Sequence, residues 1–270
     1  MKTIAIMNHK GGVGKTTTTY NLGACLARRG YKTLLVDFDM QSNLSRACIK
    51  SVSTAEYTKT IADGINAVIK EEEPDYSSII SNVSHVSDNL YIIPCNLEFG
   101  DTLDALQLQK EIFEEAALRD FLAPLQDSIF DYCLIDCAPS IMLDMRNAML
   151  ASDAILIVTT ADTDSASGIA SLLRNKARVE RKFKKQIGVI GLLINLFETT
   201  TTVDNALMDM IQSDWKDIRP FSVYIPKRTG IKAARTLCQP LADYNKKSDA
   251  CQNYEDLASE FIERSANYGN

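Results

Sequence analysis

The chain is predicted to be an α/β protein with a doubly wound, mainly parallel sheet flanked by helices. Three observations carry that expectation. Six apolar, β-rich segments recur through the first three quarters of the sequence with little polar alternation, as strands covered on both faces do. Helical patterns separate them, as parallel crossovers require. The first apolar segment runs into a glycine-rich turn and then at once into a helix, at the carboxyl end of a strand, where open α/β sheets bind ligands.

In chain order, Thr3–Met7 reads as a strand and Thr17–Arg29 as a helix stopped by Gly30. Thr33–Phe38 is the second strand, leading into a turn at Gln41–Ala47. Thr60–Lys70 follows as a helix, and Glu71-Glu72-Glu73-Pro74 as a surface turn. Asn89–Ile93 is a strand, and Leu103–Leu122 a helix that Asp101 or Thr102 is placed to cap. Strands Tyr132–Ile135, Ala154–Thr159 and Ile187–Ile194 then alternate with helices Leu143–Leu150, Ser165–Phe183 and Val203–Gln212. No repeat, low-complexity tract or long linker interrupts the pattern, so residues 1–270 are expected to form one domain.

Composition excludes several classes of function. A net charge of -6 argues against a chain coated in nucleic acid, while leaving room for a local basic patch. Apolar runs are strand-sized, so no membrane span or membrane partner is expected, and the first residues lack a signal-peptide layout. Seven cysteines without C-x-x-C spacing read as reduced thiols of a cytoplasmic protein. Two histidines are too few for a His-rich metal site.

The glycine-rich turn reads Asn8-His9-Lys10-Gly11-Gly12-Val13-Gly14-Lys15-Thr16-Thr17. It nearly spells a phosphate-binding loop, with His9 where the usual pattern begins with glycine and an extra lysine at position 10. Gly11, Gly12, Val13 and Gly14 would curl the backbone so that successive N–H groups form an anion nest at a helix N-terminus. Lys15 would reach the β- and γ-phosphates of a nucleotide, Thr16 would hold Mg²⁺ and Thr17 would bond the α-phosphate. Wrapping the loop around phosphates turns Lys15 inward and leaves Lys10 pointing away from its own nucleotide.

Two further segments end in carboxylates. Leu34–Asp39 closes on Asp37 and Asp39, which share one face while strand geometry continues. Tyr132–Asp136 has the form of a Walker B strand, with Asp136 gripping Mg²⁺ through water. Phosphoryl transfer needs an aligned water more than a strong base, so an ordinary aspartate suffices. Asp39 and Asp37 also suit a turn cap and a strand end.

Together KGGVGKTT, VDFDMQSN, IDCAPS and IPKRTGIKAA resemble the ParA/MinD family of deviant Walker A P-loop ATPases, and within it the ParA (Soj-like) plasmid and chromosome partition branch. The likeness runs to a ParA-like helix at Tyr254–Glu260. A sheet starting at residue 3 implies the short type, without an extra N-terminal DNA-binding domain. The resemblance implies an ATP-bound homodimer in which Lys10 crosses to the partner's nucleotide. It implies Asp39 as the residue positioning the attacking water, Asp136 as the Walker B aspartate, and Asp37 as structural or near Mg²⁺. Asn195 falls near the adenine position, and the backbone of Ile225-Pro226-Lys227 is expected to close over the base. A ParB-like centromere-binding protein is the implied activator, and nonspecific DNA the implied track.

The sequence departs from the family pattern at Met40 and Ser42, where proline and glycine are usual, and on the DNA surface. Thr199–Thr202 and Gly230 stand where relatives carry arginines. Basic residues available instead are Lys227, Arg228, Lys232 and Arg235, and a helical group of Arg174, Arg178, Arg181 and Lys185 flanked by Lys182 and Lys184. The spacing puts that group on one side, which equally suits a solvated face opposite Leu172, Leu173 and Phe183. A MinD-like membrane switch would need a basic C-terminal helix, yet Tyr254–Ala266 carries three Glu and one Asp against one Arg. A nitrogenase-reductase-like electron carrier would need cysteine at Pro139; Cys95 and Cys137 read as core thiols.

Overall fold

The computed structural model describes residues 1–49, 57–108, 114–140, 142–162, 165–198, 208 and 213–268. Its centre is a sheet of seven strands: β1 (Lys2–Met7), β2 (Thr33–Phe38), β3 (Ser81–Asn82), β4 (Leu90–Ile93), β5 (Tyr132–Cys137), β6 (Ala154–Thr160) and β7 (Gly188–Asn195). Their order is β3-β4-β2-β5-β1-β6-β7. Only the short edge strand β3 is antiparallel; the six strands expected from sequence are all parallel to their neighbours.

Alternation along these strands sends side chains to two separate cores. In β1, Ala5 and Met7 face one layer and Ile4 and Ile6 the other. In β5, Cys133 and Ile135 join the first layer while Tyr132 and Leu134 join the second. Both layers are apolar, which is why the strands lack polar alternation in sequence. The same parity puts Asp37 and Asp136 on the second face, and β2 pairs with β5 so that the two stand side by side.

Helix α1 (Lys15–Arg28) lies on that second face, burying Leu22 and Leu26, and Gly30 ends it in a left-handed conformation (φ 93°). Helix α2 (Asn43–Ile49) follows β2, extending the turn read at Gln41–Ala47. Helix α3 (Ile61–Ile69) opens on a capping box, Thr60 accepting from the Ala62 amide while Asp63 accepts from the Thr60 amide. Helix α4 (Tyr76–Ile79) precedes β3.

The helix read at Leu103–Leu122 is corrected. Helix α5 (Phe99–Leu108) starts earlier, with the Phe99 ring 4.8 Å from that of Phe38, so Asp101 and Thr102 lie inside its first turn rather than capping it. A separate α6 (Ala117–Leu122) follows a short 3-10 turn at Glu114–Ala116. Burial of Phe38 and Phe99, each about 2–3 kcal/mol, overrides the capping preference. Helices α7 (Leu143–Ala151) and α8 (Ser165–Phe183) match their expected spans. The helix read at Val203–Gln212, and Thr199–Thr202, lie outside the described residues apart from Met208. The chain closes through α9 (Thr229–Thr236), α10 (Leu241–Tyr244) and α11 (Asp249–Ser265). Among the described residues no helix is long and apolar enough to cross a membrane.

Candidate functional site

Strand β1 delivers the loop Asn8–Gly14 to the carboxyl end of the sheet, next to β5 and β6. Gly12 (φ 78°) and Gly14 (φ 95°) take left-handed conformations, which L side chains rarely adopt. At Gly14 a Cβ would also come within 2.0 Å of Asn195 Nδ2. The loop is braced from both sides. Asn195 Nδ2 donates to the Val13 carbonyl at 2.8 Å, and Pro139 lines the cleft together with Gly11. His9 Nδ1 lies 3.1 Å from the Ser140 carbonyl.

This geometry refines two expectations. The Asn195 amide is committed to the loop, and its Oδ1 accepts from the Leu196 amide at 2.8 Å, so Leu196 rather than Asn195 lines the open cleft. Pro226 is buried, and its segment is stitched to the end of β7 by Ile225 N to Ile194 O and Lys227 N to Phe197 O. Lys227 is what this segment presents to the cleft.

Lys15 is 6% exposed, and its Nζ donates to the Lys10 carbonyl at 3.1 Å. Desolvation pushes its ammonium below the usual range, while Asp136 and Asp39 pull the other way. Lys10 turns outward, its Nζ 2.7 Å from Asp162 just past β6. Desolvation alone would raise the Asp162 carboxyl, but hydrogen bonds from Lys10, Thr160 and Ser165 outweigh it and hold it low. Sequence reasoning missed Asp162, although a carboxylate at a strand end beside the loop was a usable signal.

The carboxylates behind the loop differ in what they have left to give. Asp37 is wholly buried, with Oδ2 accepting from the Ser45 amide (2.8 Å) and hydroxyl (2.7 Å). Burial pushes its carboxyl up to about 6. Ser45 in turn accepts from the Cys95 amide at 2.8 Å, so Asp37 braces α2 against β4 and is built as a strut. Asp39 is nearly buried, accepts from the Gln41 amide at 2.9 Å and lines the cleft. Asp136 is the exception: among the described residues its buried Oδ2 has no hydrogen-bond partner. Burial and the neighbouring Asp37 raise its carboxyl, and the Thr16 hydroxyl opposes them. An orphaned buried carboxylate oxygen beside a threonine hydroxyl suits a divalent cation. Among the described residues no group of three or more His, Cys, Asp or Glu forms a metal cage. Mg²⁺ ordinarily needs none, since one or two carboxylates and the phosphates suffice.

Around these groups runs a cleft of about 480 Å³ lined by the loop, Asp39, Leu196 and the start of α9. Lys227, Arg228, Lys232 and Arg235, expected on a DNA surface, all line it. The second basic group lies elsewhere. Arg174, Arg178 and Arg181 are exposed along α8, which crosses from the carboxyl end of β6 back to the amino end of β7. Lys185 is corrected: α8 ends at Phe183, Lys184 turns left-handed (φ 52°), and Lys185 Nζ donates to the Leu150 carbonyl at 2.7 Å. It therefore leaves the arginine face, and desolvation lowers its ammonium.

A glycine nest ending in an inward lysine, a helix N-terminus and a buried strand-end aspartate define a P-loop nucleotide-binding protein of α/β fold. The family model described as "AAA domain" matches residues 1–189. The sporulation initiation inhibitor protein Soj of Bacillus subtilis is 30% identical over 96% of this chain and 97% of its own length. The cell division ATPase MinD of Pyrococcus furiosus superposes with a TM-score of 0.74 at 26% identity, covering 97% of this chain and 98% of that one. A plasmid partition protein of Borrelia burgdorferi, solved with AMPPNP bound, gives 0.75 at 25% identity, over 97% and 98%. The chain belongs to the ParA/MinD family of ATPases.

Proposed function

We propose that this protein is a ParA-like positioning ATPase that binds MgATP in the cleft between the loop and α9. The observation that carries the reading is the buried Oδ2 of Asp136, without a partner among the described residues, beside Thr16 and the loop. Gly11, Gly12, Val13 and Gly14 present backbone amides to the phosphates, Lys15 supplies the inward cation, and Thr17 takes the α-phosphate. Thr16 and Asp136 hold Mg²⁺, with Asp37 orienting the strand end behind them. When bound, Mg²⁺ neutralises charge developing on the phosphoryl oxygens. Asp39, at the rim of the cleft, aligns the attacking water.

Lys10 faces away from its own loop and serves a second copy across a two-fold axis, with contacts made reciprocally. A cation supplied in trans contributes ~10³–10⁵ in rate where it acts as an arginine finger does. Nucleotide occupancy then governs pairing, and paired molecules bind nonspecific DNA of the nucleoid in the cytoplasm. A ParB-like activator stimulates hydrolysis and release, which moves plasmid or chromosomal cargo. The exposed cations of α8 are the surface offered to phosphates.

A MinD-like membrane reading has less support. Helix α11 buries Tyr254, Leu257, Ala258 and Phe261 in the core, so its apolar side is occupied. The deciding experiment measures DNA binding with ATP and with ADP across salt, for the wild-type chain and Lys10→Ala. Binding that requires ATP, weakens steeply with salt and is lost in the variant supports partition. ATP-dependent binding to anionic liposomes instead would overturn it.

A further inference from the structure

The cleft carries more positive charge than the loop alone accounts for. Its lining holds Lys15, Lys227, Arg228, Lys232 and Arg235 against one acidic side chain, Asp39. Two of these cations are already matched. Lys227 Nζ lies 2.5 Å from Glu198, and Arg228 grips both carboxylate oxygens of Asp249 through Nε. Among the described residues Lys232 and Arg235 have no carboxylate partner. They lie three residues apart, about one turn of α9, and so share a side. Both line the same cleft as Lys15, Thr16 and Thr17. Arg235 also borders an adjoining cavity of about 320 Å³ that continues from Thr17 to Tyr20 and Asn21 along α1.

Like charges gathered around a helix N-terminus repel one another unless an anion sits among them. The anion that fits is extended and multiply charged, since the cations are spread along one cleft from the loop to α9. We propose that Lys232 and Arg235 are positioning residues that clamp the polyphosphate of the bound nucleotide from the α9 side of the cleft. They act within one chain, adding to Lys15. This inference rests on the nucleotide reading above, and on neither the pairing nor the DNA part of it.

The test is competition against a fluorescent ADP analogue by MgADP, AMP and adenosine. It uses the full chain as wild type, Lys232→Ala, Arg235→Ala, the double variant and Arg235→Lys. Both residues are exposed, so the variants should keep the wild-type unfolding midpoint without nucleotide. Loss of a charge-assisted contact at each site predicts MgADP binding weakened roughly tenfold to a hundredfold in the double variant. AMP should lose less and adenosine nothing, the loss should shrink with added salt, and Arg235→Lys should recover most of the affinity. MgADP affinity within about twofold of wild type would overturn the clamp, whatever happens to DNA binding. So would an equal loss for adenosine and MgADP, which marks damage to the pocket. Failure of the wild-type chain to bind any nucleotide would instead remove the underlying site, and the clamp with it.

Discussion

At the carboxyl end of the sheet, Asp37, Asp136 and Lys15 are buried and braced by their neighbours, and among the described residues one atom, Oδ2 of Asp136, is left without a partner. At the other end, reached along α8, they are exposed and loosely held. Asp37, Asp136 and Lys15 are at most 6% exposed, and each is fixed by strand register or loop geometry. Arg174, Arg178 and Arg181 stand in solvent, while the neighbouring Lys182 pairs with Glu115, which also binds Arg146. The contrast teaches where function can be read from geometry. A buried charge must be compensated, so its surroundings specify a ligand. An exposed cation is solvated and specifies little beyond a preference for anions.

The largest effect should come from Lys15→Ala, which removes the inward cation. Hydrolysis is expected to fall by about 10²–10³ or more, measured by phosphate release with and without DNA. Arg178→Ala should leave that rate unchanged in the absence of DNA, and equal losses would erase the distinction between the two ends.

Next in size is Gly14→Ala. A left-handed L residue costs roughly 1–2 kcal/mol, and the clash with Asn195 adds to it. Denaturant unfolding should show the double variant with Asn195→Ala to be less damaged than the sum of its parts.

The pH dependence sharpens the comparison because its sign runs opposite to an ordinary surface carboxylate. Burial raises Asp37 from 3.8 to about 6, so across that window the folded chain holds a proton that the unfolded chain has released. The contribution of Asp37 to nucleotide-free stability should therefore be full below 3.8 and fall by ~1–3 kcal/mol as pH rises through about 6. Asp136, raised as well, acts in the same direction. MgADP should flatten the curve. A rise in stability over that window would show that these carboxylates are not desolvated.

The smallest effect belongs to the exposed end. Arg174→Ala, Arg178→Ala and Arg181→Ala should each change stability by less than about 0.5 kcal/mol. Each should lower the salt slope of DNA binding by about one. Unchanged slopes would return α8 to a merely solvated face.

Much of this was legible in the chain. Six buried parallel strands announce themselves because two-sided burial strips out polar alternation, and the loop because its glycines, Lys15 and Thr16 occur together. Strand parity suggested a shared face for Asp37 and Asp39, but only the register of β2 on β5 set Asp136 beside Asp37. Less legible were Asp162 and Ser45, whose partners lie 152 and 8 residues away. The true start of α5 was hidden too, since the Phe38 ring that anchors it lies across a packed layer.

The sequence by itself determined the sheet, the loop and the identity of the inward lysine, because backbone conformation and side-chain alternation are local properties. Tertiary structure alone decided which cations serve which end. Arg235 and Arg181 look alike in the chain, and only the crossing of α9 over the loop puts one beside Thr17 while α8 carries the other away. Electrostatic roles depend on distances through space, which residue spacing along the chain does not set.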